Sequence, residues 1–123
     1  MYDSPRIRRV RFYKTPAGKP VAREEFFDLE EAGQAALGEL FTRYEHGLER
    51  RGEVLPVREG LLEFRTRVGN DPYRAYFFQD GPKYVIVTLC TYKNRKKASK
   101  GDIEVAKSRM KSWKARRGSS RSD

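Results

Sequence analysis

Three consecutive strand-forming runs, separated only by turn residues, constrain this chain more than any other feature. They are Leu62–Val68, Tyr73–Gln79 and Lys83–Cys90. The connectors Gly69-Asn-Asp-Pro72 and Asp80-Gly-Pro82 consist of turn-favouring residues, and the runs are rich in β-branched and aromatic side chains. The stretch therefore predicts an antiparallel meander. Side chains alternate faces along a strand. Pairing Val68 with Tyr73 puts Leu62, Phe64, Val68, Ala75, Phe77, Val85, Val87 and Leu89 on one apolar face. The other face gathers Arg65, Arg67, Arg74, Tyr76, Tyr84 and Thr88. In this register Arg67 stands opposite Arg74, Arg65 opposite Tyr76, and Thr88 beside Arg74. Like charges placed opposite each other destabilise a sheet. Three arginines with only the carboxylate of Glu63 among them imply a missing anion.

The flanking segments supply something to cover the apolar face. Arg6–Tyr13 predicts a first strand, and Thr15–Pro20 a turn. Val21–Glu31 predicts a helix with Ala22, Phe26 and Leu29 on one side, ended or kinked at Gly33. Gln34–Arg51 is the clearest amphipathic helix, with Ala36, Leu37, Leu40, Phe41, Tyr44 and Leu48 at helical spacing and Gly52 as its stop. Glu53–Gly60 reads as a loop or short irregular strand. Burying two such helices on one face of the sheet predicts a small two-layer α+β fold. The basic face would stay open to solvent as the floor of a shallow cleft. Beyond Cys90, Asp102 is expected to cap a last helix running to about Arg116. Ile103, Ala106, Met110 and Trp113 form its apolar stripe. Residues 1–117 are expected to form one domain, and 118–123 a disordered basic tail.

Charge is unevenly distributed. The net charge of +10 comes almost wholly from residues 91–123, which hold 12 Lys and Arg against 3 Asp and Glu; residues 1–90 hold 15 against 14. Such asymmetry points to a polyanion partner, nucleic acid or an acidic protein. No run approaches the roughly 20 apolar residues of a membrane span. The first residues lack the apolar core of a signal peptide, and a single cysteine suits a reducing cytoplasm.

The residue inventory narrows the chemistry. One histidine, His46, and one cysteine, Cys90, do not make a zinc cluster or support a Ser-His-Asp or Cys-His arrangement. His46 reads as an ordinary exposed residue of its helix. There is no phosphate-binding loop and no dinucleotide fingerprint, and no metal or cofactor is expected. What remains is Arg, Lys and Tyr on the sheet face and just after it. Such groups can hold a phosphodiester and stabilise the charge of its transition state. A Tyr or Lys with a lowered pKa can move the proton, and clustered charge would lower that of Lys93 or Lys96. Tyr76 and Tyr92 offer faces for unpaired RNA bases. The residues alone favour simple RNA binding over catalysis.

Three motifs in order, Leu61-Leu-Glu-Phe-Arg65, Tyr73-Arg-Ala-Tyr-Phe-Phe78 and Tyr92-Lys-Asn-Arg-Lys-Lys97 followed by Ile103-Glu-x-Ala106, carry a resemblance. The chain resembles the HigB branch, which includes phage-encoded members, of the RelE/ParE toxin superfamily, over roughly Phe12 to Trp113. The resemblance implies a RelE-like fold: an N-terminal strand and two helices on an antiparallel sheet, with a basic C-terminal helix. It implies a cytoplasmic type II toxin that cuts mRNA without a metal, usually in the ribosomal A site. The 2′-hydroxyl attacks the adjacent phosphate, leaving a 2′,3′-cyclic phosphate and a 5′-hydroxyl. It further implies a small helix-turn-helix antitoxin as partner. Carried over by position, Arg65 and Arg74 would clamp the scissile phosphate, and Lys93 and Lys96 or Lys97 would supply charge and the acid. Arg67 and Tyr76 would lie beside them. Lys100, Lys107, Lys111 and Lys114 would contact RNA, including 16S ribosomal RNA. Many relatives place a catalytic Tyr or His near the C-terminus; this chain ends Ala115–Asp123 with neither, and Tyr92 is the nearest candidate. Two other readings keep the fold: a non-catalytic gyrase poison like the ParE arm, and a phage regulator that binds RNA or a host factor.

Overall fold

The computed structural model describes residues 3–92 and 100–121. Its elements are β1 (Arg9–Phe12), α1 (Val21–Asp28), α2 (Glu31–Glu45), β2 (Val54–Arg58), β3 (Leu61–Val68), β4 (Asp71–Asp80), β5 (Tyr84–Tyr92) and α3 (Lys100–Arg121). They form an α+β fold around one five-stranded sheet of order β1-β5-β4-β3-β2. The pairs from β2 to β5 are antiparallel, and β1 joins the edge parallel to β5. Among the described residues no helix is long and apolar enough to cross a membrane.

One face buries the expected apolar set. Phe64, Ala75, Phe77, Val85 and Val87 pack against Phe26 of α1 and Leu37, Leu40, Phe41 and Tyr44 of α2. Phe64 and Phe77 stack at the centre with ring centroids 4.0 Å apart. The break between α1 and α2 falls at Leu29–Glu30, earlier than Gly33, which lies inside α2. The Gln34 amide donates to the carbonyls of Leu29 (2.7 Å) and Phe27 (3.0 Å), satisfying groups the break exposes. Gly33 is needed for contact: a Cβ there would lie 2.3 Å from the Tyr73 ring. α2 ends at Glu45, short of Arg51. Gly47 N–H bonds Tyr44 O and Leu48 N–H bonds Arg43 O, with Gly47 at φ 71°, the pattern of a glycine-terminated helix.

Three sequence expectations are corrected here. The β3–β4 register is slid by two residues: Val68 pairs with Asp71, and Arg65 directly opposes Arg74. The turn is only Gly69–Asn70, with Gly69 at φ 61°. An even slide keeps both faces intact, because the side-chain period is two. Second, a bulge in β5 changes parity. Tyr76 pairs with Leu89 but Phe77 with Val87, so Thr88 is the extra residue. Leu89 therefore joins Tyr76 in the second core, and Cys90 takes the face expected for Leu89. Third, the basic face is not open. The α3 residues Ile103, Ala106, Met110 and Trp113 pack on Leu61, Tyr76, Phe78, Ile86 and Leu89, making a third layer. An apolar helix stripe needs a surface to bury against, and this was the one left.

Arg109 locks that layer. It donates to Glu25 Oε1 of α1 and to the carbonyl of Thr88 at the bulge, both at 2.8 Å. α3 starts two residues before Asp102, which lies in its first turn, and runs past Arg116.

The Gly33 contact makes a direct prediction. Gly33→Ala should destabilise the fold by about 1–3 kcal/mol through overpacking, measured as a lowered denaturant midpoint with unchanged slope. An unchanged midpoint would mean that α2 does not sit against Tyr73 this closely.

Candidate active site

The second sheet face places Glu63 and Arg65 on β3 beside Arg74 and Tyr76 on β4. Their alternation is the local reason for the cluster: residues 63 and 65 of one strand meet 74 and 76 of its neighbour on one side. Arg65 and Arg74 are direct cross-strand partners, and Glu63 holds them together. Its Oε1 accepts from Arg65 Nη2 at 2.6 Å, and its Oε2 lies 3.6 Å from Arg74 Nε. The Glu63 and Arg74 side chains are 4% and 1% exposed, whereas that of Arg65 is 42% exposed. Arg65 is thus the guanidinium of this pair that a phosphate in solvent can reach. Arg74 stands behind it.

Tyr76 is fully buried at the junction with α3, and its hydroxyl has no hydrogen-bond partner among the described residues. Burial pushes its pKa up to about 12; the Glu63 carboxylate adds to this, Arg74 opposes it, and Asp102 adds further. The phenol therefore keeps its proton throughout the neutral range. It offers an O–H, not a phenolate base.

Tyr92 is not part of this group. Thr91 shares the face of Arg74, and Tyr92 shares that of Tyr73, on the opposite side of the sheet. Its hydroxyl donates to Asp71 Oδ1 at 3.1 Å, and that bond raises its pKa. The lowered pKa required of a base is not what Tyr92 has. Arg67 is exposed two residues along β3 from Arg65, opposite Pro72. Lys93, Lys96 and Lys97 lie outside the described residues.

The lysines of α3 recur at one flank of the helix by spacing: Lys100, Lys107, Lys111 and Lys114. Lys107 Nζ pairs with Glu59 Oε2 at 2.8 Å. That contact, with a smaller pull from Lys111, holds the Glu59 carboxyl below its usual range. Lys114 Nζ lies 5.5 Å from the centroid of the Phe78 ring. Lys100 and Lys111 are exposed. Lys107, Lys111 and Lys114 therefore flank the β2–β3 turn rather than the arginine pair.

His46 is not the plain exposed residue expected from the sequence. It is half-buried, and its Nδ1 lies 2.8 Å from the carbonyl of Ser4. Among the described residues no three His, Cys, Asp or Glu side chains gather as a cation site. The residue that sequence reading undervalued is Glu63. A lone acid among three arginines was its signal, but its bridging role depends on the true register.

A mixed sheet carrying a buried carboxylate between paired arginines, with a basic helix laid across it, defines a small α+β protein. The sequence matches the model of the family described as Phage derived protein Gp49-like (DUF891) over residues 24–111, and the chain belongs to that family. Among its relatives is the protein named "Probable endoribonuclease HigB1" from Mycobacterium tuberculosis, strains CDC 1551 / Oshkosh and H37Rv. It is 39% identical over 97 residues, covering 79% of this chain and 77% of the relative. The HigB-branch resemblance read from the motifs is therefore borne out. A solved toxin–antitoxin complex, RelBE2 from the same organism, aligns at TM-score 0.47 and 21% identity over 76% of this chain and 98% of that one.

The raised pKa of Tyr76 predicts a pH effect. Its folded value lies above the ordinary unfolded value near 10. Its contribution to stability is thus fully present below pH 10 and is lost as pH rises toward 12. Tyr76→Phe should lose less stability than wild type over that window in denaturant titrations. At pH 7 the substitution should cost under about 1 kcal/mol, since no described hydrogen bond is broken. Identical pH profiles would contradict this environment for Tyr76.

Proposed function

We propose that this protein is the toxin of a type II toxin–antitoxin system and an endoribonuclease that cuts mRNA. The observation that carries the reading is the cross-strand pair Arg65–Arg74, set at fixed spacing by the Glu63 carboxylate. The relative named as a probable endoribonuclease supports it from the side of sequence.

In this mechanism the scissile phosphate docks on Arg65, whose planar fork suits a phosphodiester. The adjacent 2′-hydroxyl attacks phosphorus as its proton passes to solvent water. The bond to the 5′-oxygen breaks, giving a 2′,3′-cyclic phosphate and a 5′-hydroxyl. Arg65 neutralises charge that builds on the phosphoryl oxygens, and buried Arg74 reinforces the local positive potential. Lys93 and Lys96, with Lys97, supply further charge and the proton for the leaving oxygen. Tyr92 takes no proton-transfer role, because it faces away and is bonded to Asp71. Arg67 and the exposed lysines of α3 hold the message and ribosomal RNA, so the enzyme works in the cytoplasm on translating ribosomes. A helix-turn-helix antitoxin neutralises it.

The test is primer extension on mRNA from cells briefly expressing wild type or Arg65→Ala. Wild type should create new 5′ ends inside translated frames. Arg65→Ala should reduce them by about 10²–10³-fold, the usual cost of removing one transition-state charge donor, while purified protein still melts cooperatively. Undiminished cleavage by the variant would overturn the site. Arg74→Ala is unsuitable as a probe of chemistry. Removing buried Arg74 leaves a cavity and takes from the buried Glu63 carboxylate one of its two cationic partners, so it should lose about 3–5 kcal/mol of stability, measured by chemical denaturation.

A further inference from the structure

A second cleft lies on the same sheet face as the arginine pair, six residues further along β4, between the β1–β5 edge of the sheet and the later turns of α3. Its volume is about 340 Å³. Phe12 and Ile86 form part of its lining, with the rings of Tyr84 and Trp113. Arg11 and Lys14 supply its charge, and both are exposed. The Arg11 guanidinium sits over the Tyr84 ring, 5.3 Å from its centroid, and Tyr84 is 41% exposed. The acid in the cleft, Asp80, accepts a 3.0 Å hydrogen bond from the Trp113 indole N–H. Residues 4–23, which supply Arg11, Phe12 and Lys14 to the lining, contain seven Lys and Arg and no Asp or Glu.

We propose that this cleft is a second subsite for single-stranded RNA, taking a nucleotide that flanks the cut, with its base against Tyr84 and its phosphate between Arg11 and Lys14. Aromatic faces interleaved with cations are the chemistry by which unpaired nucleic acid is held without sequence preference. Asp102 marks the arginine end of α3 and Trp113 the cleft. Eleven residues of helix put them about 16 Å apart, so the cleft serves a neighbouring nucleotide and not the scissile one. An acidic peptide adding to the β1 edge suits the site less well. The Val10 N–H, which points away from β5, is already bonded to Glu45 Oε2 at 2.9 Å. A docking strand needs such donors free.

The choice of RNA rests on the nuclease reading, and the test keeps the two separable. Trp113 is the sole tryptophan of the chain, so its fluorescence reports the cleft directly. The full chain is titrated with single-stranded RNA blocked at every 2′-oxygen by methyl groups, which cannot be cut. Total binding is followed separately by anisotropy of an end-labelled copy. The proposal expects saturable quenching of Trp113, and about tenfold weaker binding for Tyr84→Ala and for Arg11→Ala, in line with the loss of one stacked base. Binding by anisotropy with Trp113 unchanged and both variants at wild-type affinity would overturn the cleft and leave the nuclease reading standing. Quenching that depends on Tyr84, without cleavage of message in a translation reaction, would sustain the cleft and remove the nuclease. Equal quenching by a polyglutamate peptide would overturn RNA as the occupant.

Discussion

Glu63 is the group on which the rest of the second sheet face depends. The β3–β4 register sets two guanidinium groups directly opposite each other, and one of them is removed from water. Neither condition is tolerable alone: like charges across a ladder repel, and a buried cation without a partner is expensive. A single carboxylate two residues before Arg65 answers both, with one oxygen directed at each arginine. The ionic group does little for stability compared with apolar residues of the same volume. Its effect is geometric. It holds Arg65 at the surface and Arg74 behind it, so the positive charge of the pair is fixed in place.

The third layer follows from packing. α3 carries charge on most of its circumference and one apolar stripe. That stripe reaches Leu61, Phe78 and Ile86 only because the sheet face turns apolar away from the arginines. The β5 bulge contributes by bringing Leu89 to this side. Its extra residue, Thr88, is held twice: its hydroxyl donates to Tyr76 O at 3.2 Å, and its carbonyl receives Arg109. Arg109 also reaches Glu25, tying α3 to α1 around the edge of the sheet. The helix that closes the face thereby also buries Tyr76 and raises its pKa.

Period-two alternation made the meander, the apolar face and the membership of the arginine group readable from sequence. The two-residue slip in register did no harm to those assignments, since parity survived it. What failed was anything set by contact across layers. The bulge has no signature in Val85-Ile-Val-Thr-Leu-Cys90, because every residue there suits a strand. The apolar stripe of α3 was visible in the sequence, but its partner was not, so the face appeared open and Arg74 accessible. Gly33 looked like a helix break. Its reason is the ring of Tyr73, forty residues away. Tyr92 was placed near the chemistry by proximity in sequence to the basic run, and strand alternation turns it the other way.

The most direct test of the account is the chemistry of the ends left on the RNA. Message cut in a translation reaction containing the purified protein would be recovered and its new 5′ termini examined. Attack by the 2′-hydroxyl predicts 5′-hydroxyl ends that accept label from a polynucleotide kinase without prior dephosphorylation, matched by 2′,3′-cyclic phosphates upstream. New 5′-phosphate ends would mean that water, not the ribose, attacks the phosphorus. A cationic clamp around Arg65 that simply presents the RNA to its own 2′-hydroxyl would then be the wrong mechanism.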